Sequence, residues 1–249
     1  MNRRYHAHLR LLKRVFDPGD ESSAITMGIC SRYRPQPLRI LDVGVGEGKS
    51  SLRVVDALNK QGYDVSFTGL DLYIPPQTLR TVDEKTNWIV GDFCDFAALA
   101  GSFDVVIATQ SLYYLGEARD ALSALAAHGE VDGITVVTVW TSRCILYRIH
   151  KEIFPETRIT FAEELVDLVG PSDLHPPTLL ESKGEIGISD LLASESACRA
   201  AYEVLARMGP SATLDEGRYS DFRQFLGTLP AVETRENGTI LFPNELLGH

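Results

Sequence analysis

Cysteine is scarce and scattered. The four residues, Cys30, Cys94, Cys144 and Cys198, include no C-x-x-C pair, a spacing that argues against both a zinc site and a disulfide framework. No apolar run approaches the ~18 residues of a membrane span. The opening MNRRYHAHLRLL is charged and lacks the apolar core of a signal peptide, so a cytoplasmic protein with no membrane partner is expected. Positive charge is also lacking over most of the chain. Residues 1–39 hold eight Lys/Arg against three Asp/Glu, so that of a net charge of −10 the remainder carries −15. Nucleic-acid binding needs clustered cations, so no nucleic-acid partner is expected. A negative body instead suits a small, cationic molecule.

Apolar residues make up 44% of the 249-residue chain, enough for one large domain with elaborations. Tyr5, Leu9, Leu12 and Phe16 recur at helical spacing over residues 3–16, with basic residues on the remaining surface, and DPGDESS then interrupts. From Leu38 the pattern alternates. LRILDVG, VSFTGLD, TNWIVGD, FDVVIATQ and GITVVTVW read as buried strands, with helices at 49–60 and 117–127. Val/Ile-rich strands separated by helices predict a parallel sheet covered on both faces, a doubly wound α/β domain over 38–140. Residues 1–37 form a preceding helical segment, and 141–249 add helices at RCILYRIHKEIF, TFAEELVDLVG and 190–208, a strand at LLESKGEIGIS, and a turn at the NG of RENGTILF into a last strand. That tail reads as an elaboration of the same domain.

Ligands of open parallel sheets bind beyond the carboxyl ends of the strands, so the polar residues there are the candidates for function. LDVGVGEGKSS places Gly44, Gly46 and Gly48 between the first strand and the first helix, where the backbone can approach a ligand closely. A dinucleotide fingerprint would require glycine at position 49, which is lysine. Asp42 ends the first strand, Asp71 the second and Asp92 the third, with Phe93 beside it. A carboxylate at the end of the second strand can accept both hydroxyls of a ribose. One at the third can hold an exocyclic amine beside an aromatic ring.

The pattern D-x-G-x-G-x-G, an Asp after strand two and GD after strand three resembles the class I S-adenosylmethionine-dependent methyltransferases over 38–140. The resemblance implies a Rossmann-like, mostly parallel seven-stranded sheet, an N-terminal helical lid and S-adenosyl-L-methionine as cofactor. Gly44, Gly46 and Gly48 would cradle its methionyl part above Asp42, Asp71 its ribose, and Asp92 with Phe93 its adenine. Thr109 would lie near the sulfonium.

The run QSLYY, residues 110–114, follows the fourth strand. By the same resemblance it faces the methyl group, so that Gln110, Tyr113 and Tyr114 flank the transfer site. No N/D-P-P-Y/F motif of the DNA-base or glutamine methyltransferases occurs there. Q-x-L-Y-Y also resembles histamine N-methyltransferase. So does TILFPN near the C-terminus, which aligns Asn244 with that family's substrate-binding asparagine. The comparison adds Tyr5 and Glu21 as lid residues toward an amine, and Tyr147 on the helix after strand five. The expected reaction is methyl transfer to an imidazole or amine nitrogen of a small molecule, largely by positioning. A small-molecule O-methyltransferase and an inactive binding module are the alternatives. No metal is implied.

Overall fold

The computed structural model describes residues 3–12, 15–16, 20–80, 84–95, 103–169, 176–206 and 215–247. Its centre is one seven-stranded sheet. The strands are β1 (Pro37–Val43), β2 (Asp64–Asp71), β3 (Thr86–Val90), β4 (Phe103–Thr109), β5 (Gly129–Trp140), β6 (Thr178–Gly187) and β7 (Val232–Pro243), in the spatial order β3-β2-β1-β4-β5-β7-β6. Strands β1 to β5 are parallel, and β7 inserts antiparallel between β5 and β6. The doubly wound α/β class follows from the sequence as expected. The order reverses between β1 and β4, and that crevice is where open α/β sheets bind ligands.

Ten helices among the described residues cover the sheet: α1 (Arg3–Leu12), α2 (Glu21–Arg32), α3 (Lys49–Lys60), α4 (Pro76–Leu79), α5 (Ala118–Ala126), α6 (Ile145–Ile153), α7 (Ala162–Val169), α8 (Ile188–Ala193), α9 (Glu195–Ala206) and α10 (Glu216–Gly227). None is long and apolar enough to cross a membrane. Ile25 and Ile29 of α2, with Val54 and Leu58 of α3, pack on one face of the sheet against Ile40, Val105 and Val136. Leu122 and Leu125 of α5, with Leu165 of α7, pack against Val106, Val137 and Ile240 on the other. Full burial of such side chains contributes about 1.5–3 kcal/mol each. A third cluster joins Leu12 to α6, α8, α9 and α10 and forms a cap beyond the end of β5, on the side where β7 starts.

Three local expectations differ from the structure. The first helix ends at Leu12, and Phe16 instead forms a bridge to Ile186. The helix expected over 190–208 is two, α8 and α9, with Ser194 between them; residues 207–208 lie outside the described residues. The Asn237-Gly238 pair makes no turn and lies inside β7. Gly238 is required there by packing, because a Cβ would come within 2.4 Å of the Ala162 side chain.

Candidate active site

A cavity of about 630 Å³ opens over the carboxyl ends of β1, β2 and β4 and runs under α1 toward the start of β7. Its volume falls within the ~300–1,000 Å³ usual for small-molecule sites. One half is polar backbone and carboxylate. Gly44 and Gly46 line it on a loop whose first amide donates to the Leu70 carbonyl at 2.8 Å. Gly46 has φ +59° and no atom within 4 Å of where a Cβ would stand, so its backbone faces open space. Gly48, also at positive φ, does not line the cavity; a Cβ there would come within 2.5 Å of Trp88.

Asp71 connects the loop to the sheet. Its Oδ2 accepts from the Gly46 amide at 2.8 Å and its Oδ1 from the Tyr73 amide at 3.0 Å. Asp92 stands at the rim and accepts from the Cys94 amide, while Phe93 is buried beside it and packs against His128. Thr109 lines the floor at the end of β4. Asp42 is fully enclosed beneath the loop, where its Oδ2 accepts from the Ser51 hydroxyl. Burial, opposed by that hydrogen bond, pushes its carboxyl up to about 7. Asp42 therefore supports the loop from below and does not line the cavity.

The other half is mainly apolar, lined by Leu9, Leu12, Phe16, Tyr114, Trp140, Leu146 and Val204, with Glu21, Gln110 and Arg235 set among them. Gln110 adopts φ +56°, the only non-glycine residue at positive φ among the described residues. Such a conformation costs free energy and persists where the surroundings enforce it. Its backbone amide continues the ladder to the Thr138 carbonyl, and its side-chain Nε2 donates to Glu21 Oε1 at 3.2 Å and Asn237 Oδ1 at 3.0 Å. An ionised carboxylate only accepts, so Glu21 fixes which end of the amide faces it. Arg235 Nη2 donates to the same Glu21 oxygen at 2.9 Å. The pair is 5% and 11% exposed.

The two tyrosines of QSLYY part company. Tyr114 lines the cavity. Tyr113 points behind it: its hydroxyl accepts the Trp140 backbone N–H at 2.6 Å, its ring lies 5.2 Å from that indole, and burial drives its pKa well up. Tyr147 also lies off the cavity, edge-on to Phe161. Tyr5 belongs to α1, but its side chain is outside the described residues. Asn244 is the main displacement from expectation. It follows β7 at the opposite end of the sheet, fully buried, with Thr135 Oγ1 and the Glu130 carbonyl as partners, because antiparallel β7 carries the chain away from the cavity. Arg235, Asn237 and Trp140 carried no motif in the sequence. Strand parity was the available signal, since Trp140 pairs with Asn237 and Arg235 projects on the same face two residues away.

The family model described as a methyltransferase domain matches residues 4–175, more than half of the chain. This chain belongs to that family. It is an S-adenosylmethionine-dependent methyltransferase, and the glycine loop and strand-end carboxylates fit that cofactor: Gly46 leaves space against the backbone, and Asp71 and Asp92 stand at the rim. The fold is similar to solved methyltransferase structures at low identity. A Bacillus halodurans C-125 protein described as a methyltransferase aligns at TM-score 0.54 and 12% identity, over 90% of this chain and 98% of that one. An Anabaena variabilis protein described as a methyltransferase from an antibiotic biosynthesis pathway gives 0.52 and 15%, over 90% and 98%. Mycolic acid cyclopropane synthase gives 0.52 and 16%, over 95% and 99%. No curated protein matches the chain. Among the described residues, no group of three or more His, Cys, Asp or Glu could hold a metal ion.

Proposed function

We propose that this methyltransferase acts on a nitrogen of a small molecule, an imidazole or an amine. The observation that carries the reading is the Gln110 side chain. Its Nε2 is committed to Glu21 and Asn237, and its Oε1 is buried in the cavity wall with no partner among the described residues. An unpaired buried carbonyl oxygen calls for a donor, and an N–H of the acceptor supplies one.

The cofactor, when bound, supplies an electrophilic methyl group on sulfur. The chain's own residues orient the nucleophile and exclude water. Gln110 would hold one ring N–H, which turns the lone pair of the other ring nitrogen away from it. Imidazole has a pKa near about 6.5 and is largely neutral at pH 7, so no general base is required. Among the described residues that line the cavity there is no histidine. Tyr114, Trp140, Phe16 and the leucines of α1 wall the acceptor. Glu21, Gln110 and Tyr114 are the acceptor-side residues of this reading, with Gly44, Gly46, Asp71, Asp92, Phe93 and Thr109 on the cofactor side. Asn244 and Tyr113 support the sheet and the floor.

The test is a methyl-transfer screen with S-adenosylmethionine across small imidazoles, amines and phenols, with the methylated atom located by tandem mass spectrometry. N-methylated product is expected. Transfer to phenolic oxygen alone would overturn the nitrogen assignment and leave the family activity intact.

A further inference from the structure

The acceptor half of the cavity has more donors to satisfy than acceptors. Arg235 Nε, Trp140 Nε1 and, behind them, Asn237 Nδ2 are buried nitrogens with no hydrogen-bond partner among the described residues, against one oxygen, Gln110 Oε1. Arg235 and Trp140 both line the cavity. The register of the β5–β7 ladder brings them together: Trp140 stands opposite Asn237, and Arg235 shares that face of β7. Glu21 engages Nη2 of the guanidinium and also accepts from Gln110, so the five N–H groups of Arg235 are only partly used.

An acceptor offering a single N–H would satisfy Gln110 and leave the buried donors unmatched. A neutral hydroxyl or amine tail brings a single acceptor oxygen or an additional donor. A carboxylate brings two oxygens with about four lone-pair sites, and its hydrogen bonds to a guanidinium are the strong, charge-assisted kind. The charge balance agrees. The cavity wall holds Lys49, Arg53 and Arg235 against Glu21, Asp71 and Asp92, and S-adenosylmethionine brings a net positive charge. An anionic tail offsets that charge, whereas an ammonium tail adds to it.

We infer that the acceptor is an acid: an imidazole or amine bearing a carboxylate that binds Arg235 and the Trp140 indole N–H, with its own N–H on Gln110. The N–H part rests on the function proposed above; the carboxylate part does not. This makes Arg235 and Trp140 specificity-determining residues.

The experiment compares matched acceptors that differ only in the tail. Imidazole-4-acetate is set against 4-(2-aminoethyl)imidazole, and 4-hydroxyphenylacetate against 4-(2-aminoethyl)phenol. In the wild-type enzyme the acid member of a productive pair should exceed the amine in kcat/KM by about 10- to 100-fold, the range for one or two charge-assisted hydrogen bonds. Arg235→Met and Trp140→Phe, which keeps an aromatic ring and removes the N–H, should each move that ratio toward one. Arg235→Lys should retain part of it. Melting temperature and calorimetric cofactor binding show whether each variant is folded. Should Arg235→Met not fold, the wild-type ratio and Trp140→Phe decide.

An amine turned over as well as its matched acid, or a ratio unmoved in both folded variants, would overturn the inference. Methylation confined to the phenolic oxygen of the phenol pair would remove the nitrogen reading alone, because the acid preference is then read from that pair. If none of the four is turned over, their dissociation constants for the enzyme with S-adenosylhomocysteine give the same ratio, and it decides in the same way.

Discussion

Strand β7 carries one buried asparagine at its middle and another follows its end, and the molecule uses the two in opposite ways. Asn244 accepts from Thr135 Oγ1 and donates to the Glu130 carbonyl, both at 2.8 Å. Its amide also fills the space beside Gly129 and Gly133, where a Cβ would come within 2.2 and 3.0 Å of Nδ2. Asn237 accepts from Gln110, but its Nδ2 has no partner among the described residues, and neither do its neighbours Gln110 Oε1, Trp140 Nε1 and Arg235 Nε. A satisfied polar group fixes structure, whereas a cluster of buried groups held in place and left unmatched has capacity for a ligand. An unmatched atom alone does not make a site. Both ring nitrogens of His150 are also buried without partners, yet His150 packs near Phe154 off the cavity, and burial pushes its pKa down to about 4.

The strongest way to break the contrast is Gln110→Ala. On the true acceptor it should lower kcat/KM by about 10- to 1000-fold, equivalent to about 1.4–4 kcal/mol of positioning. This is read at a temperature where the variant is folded, because loss of the donor to buried Asn237 and Glu21 also costs about 1–3 kcal/mol of stability. Unchanged turnover would make QSLYY packing throughout. Asp71→Ala should weaken cofactor binding by about 1.5–3 kcal/mol, because it removes charge-assisted bonds that also shape the glycine loop; calorimetry on the folded variant reads this directly. Asn244→Ala should act on stability, costing about 1–3 kcal/mol by leaving two buried partners unmatched. Its effect on kcat/KM at a temperature where it is folded should be within about 2-fold. A larger loss of turnover than of stability would bring Asn244 back to the acceptor.

Most of the fold was legible in the sequence because it is written in local pattern. Strands of Val and Ile running into Asp42, Asp71 and Asp92 announce a parallel sheet and the edge over which the cavity opens. The polar half of the cavity was legible for the same reason: its residues lie close to the strand ends that place them. Glu21 and Gln110, 89 positions apart, do meet in the cavity, although periodicity alone could not have paired them. The tail was harder. A resemblance in TILFPN could locate Asn244 in the chain but not in space, because antiparallel β7 reverses which end of the strand reaches the cavity. Asn237-Gly238 imitates a turn, while its glycine answers a close approach by Ala162. Arg235 was invisible because a lone cation on a strand carries no motif.

Amide hydrogen exchange on the intact chain, with and without S-adenosylhomocysteine and a turned-over acceptor, tests most directly the claim that one end of the sheet binds and the other only holds. Beyond the uniform slowing that any ligand gives to globally exchanging amides, protection should rise at Gly44–Gly48, Asp71–Tyr73, Gln110–Tyr114 and Arg235–Asn237. The segments Gly129–Thr135 and Pro243–Leu247 should show none of this added protection. Added protection concentrated around Asn244, or none at Gln110 and Arg235, would contradict the account.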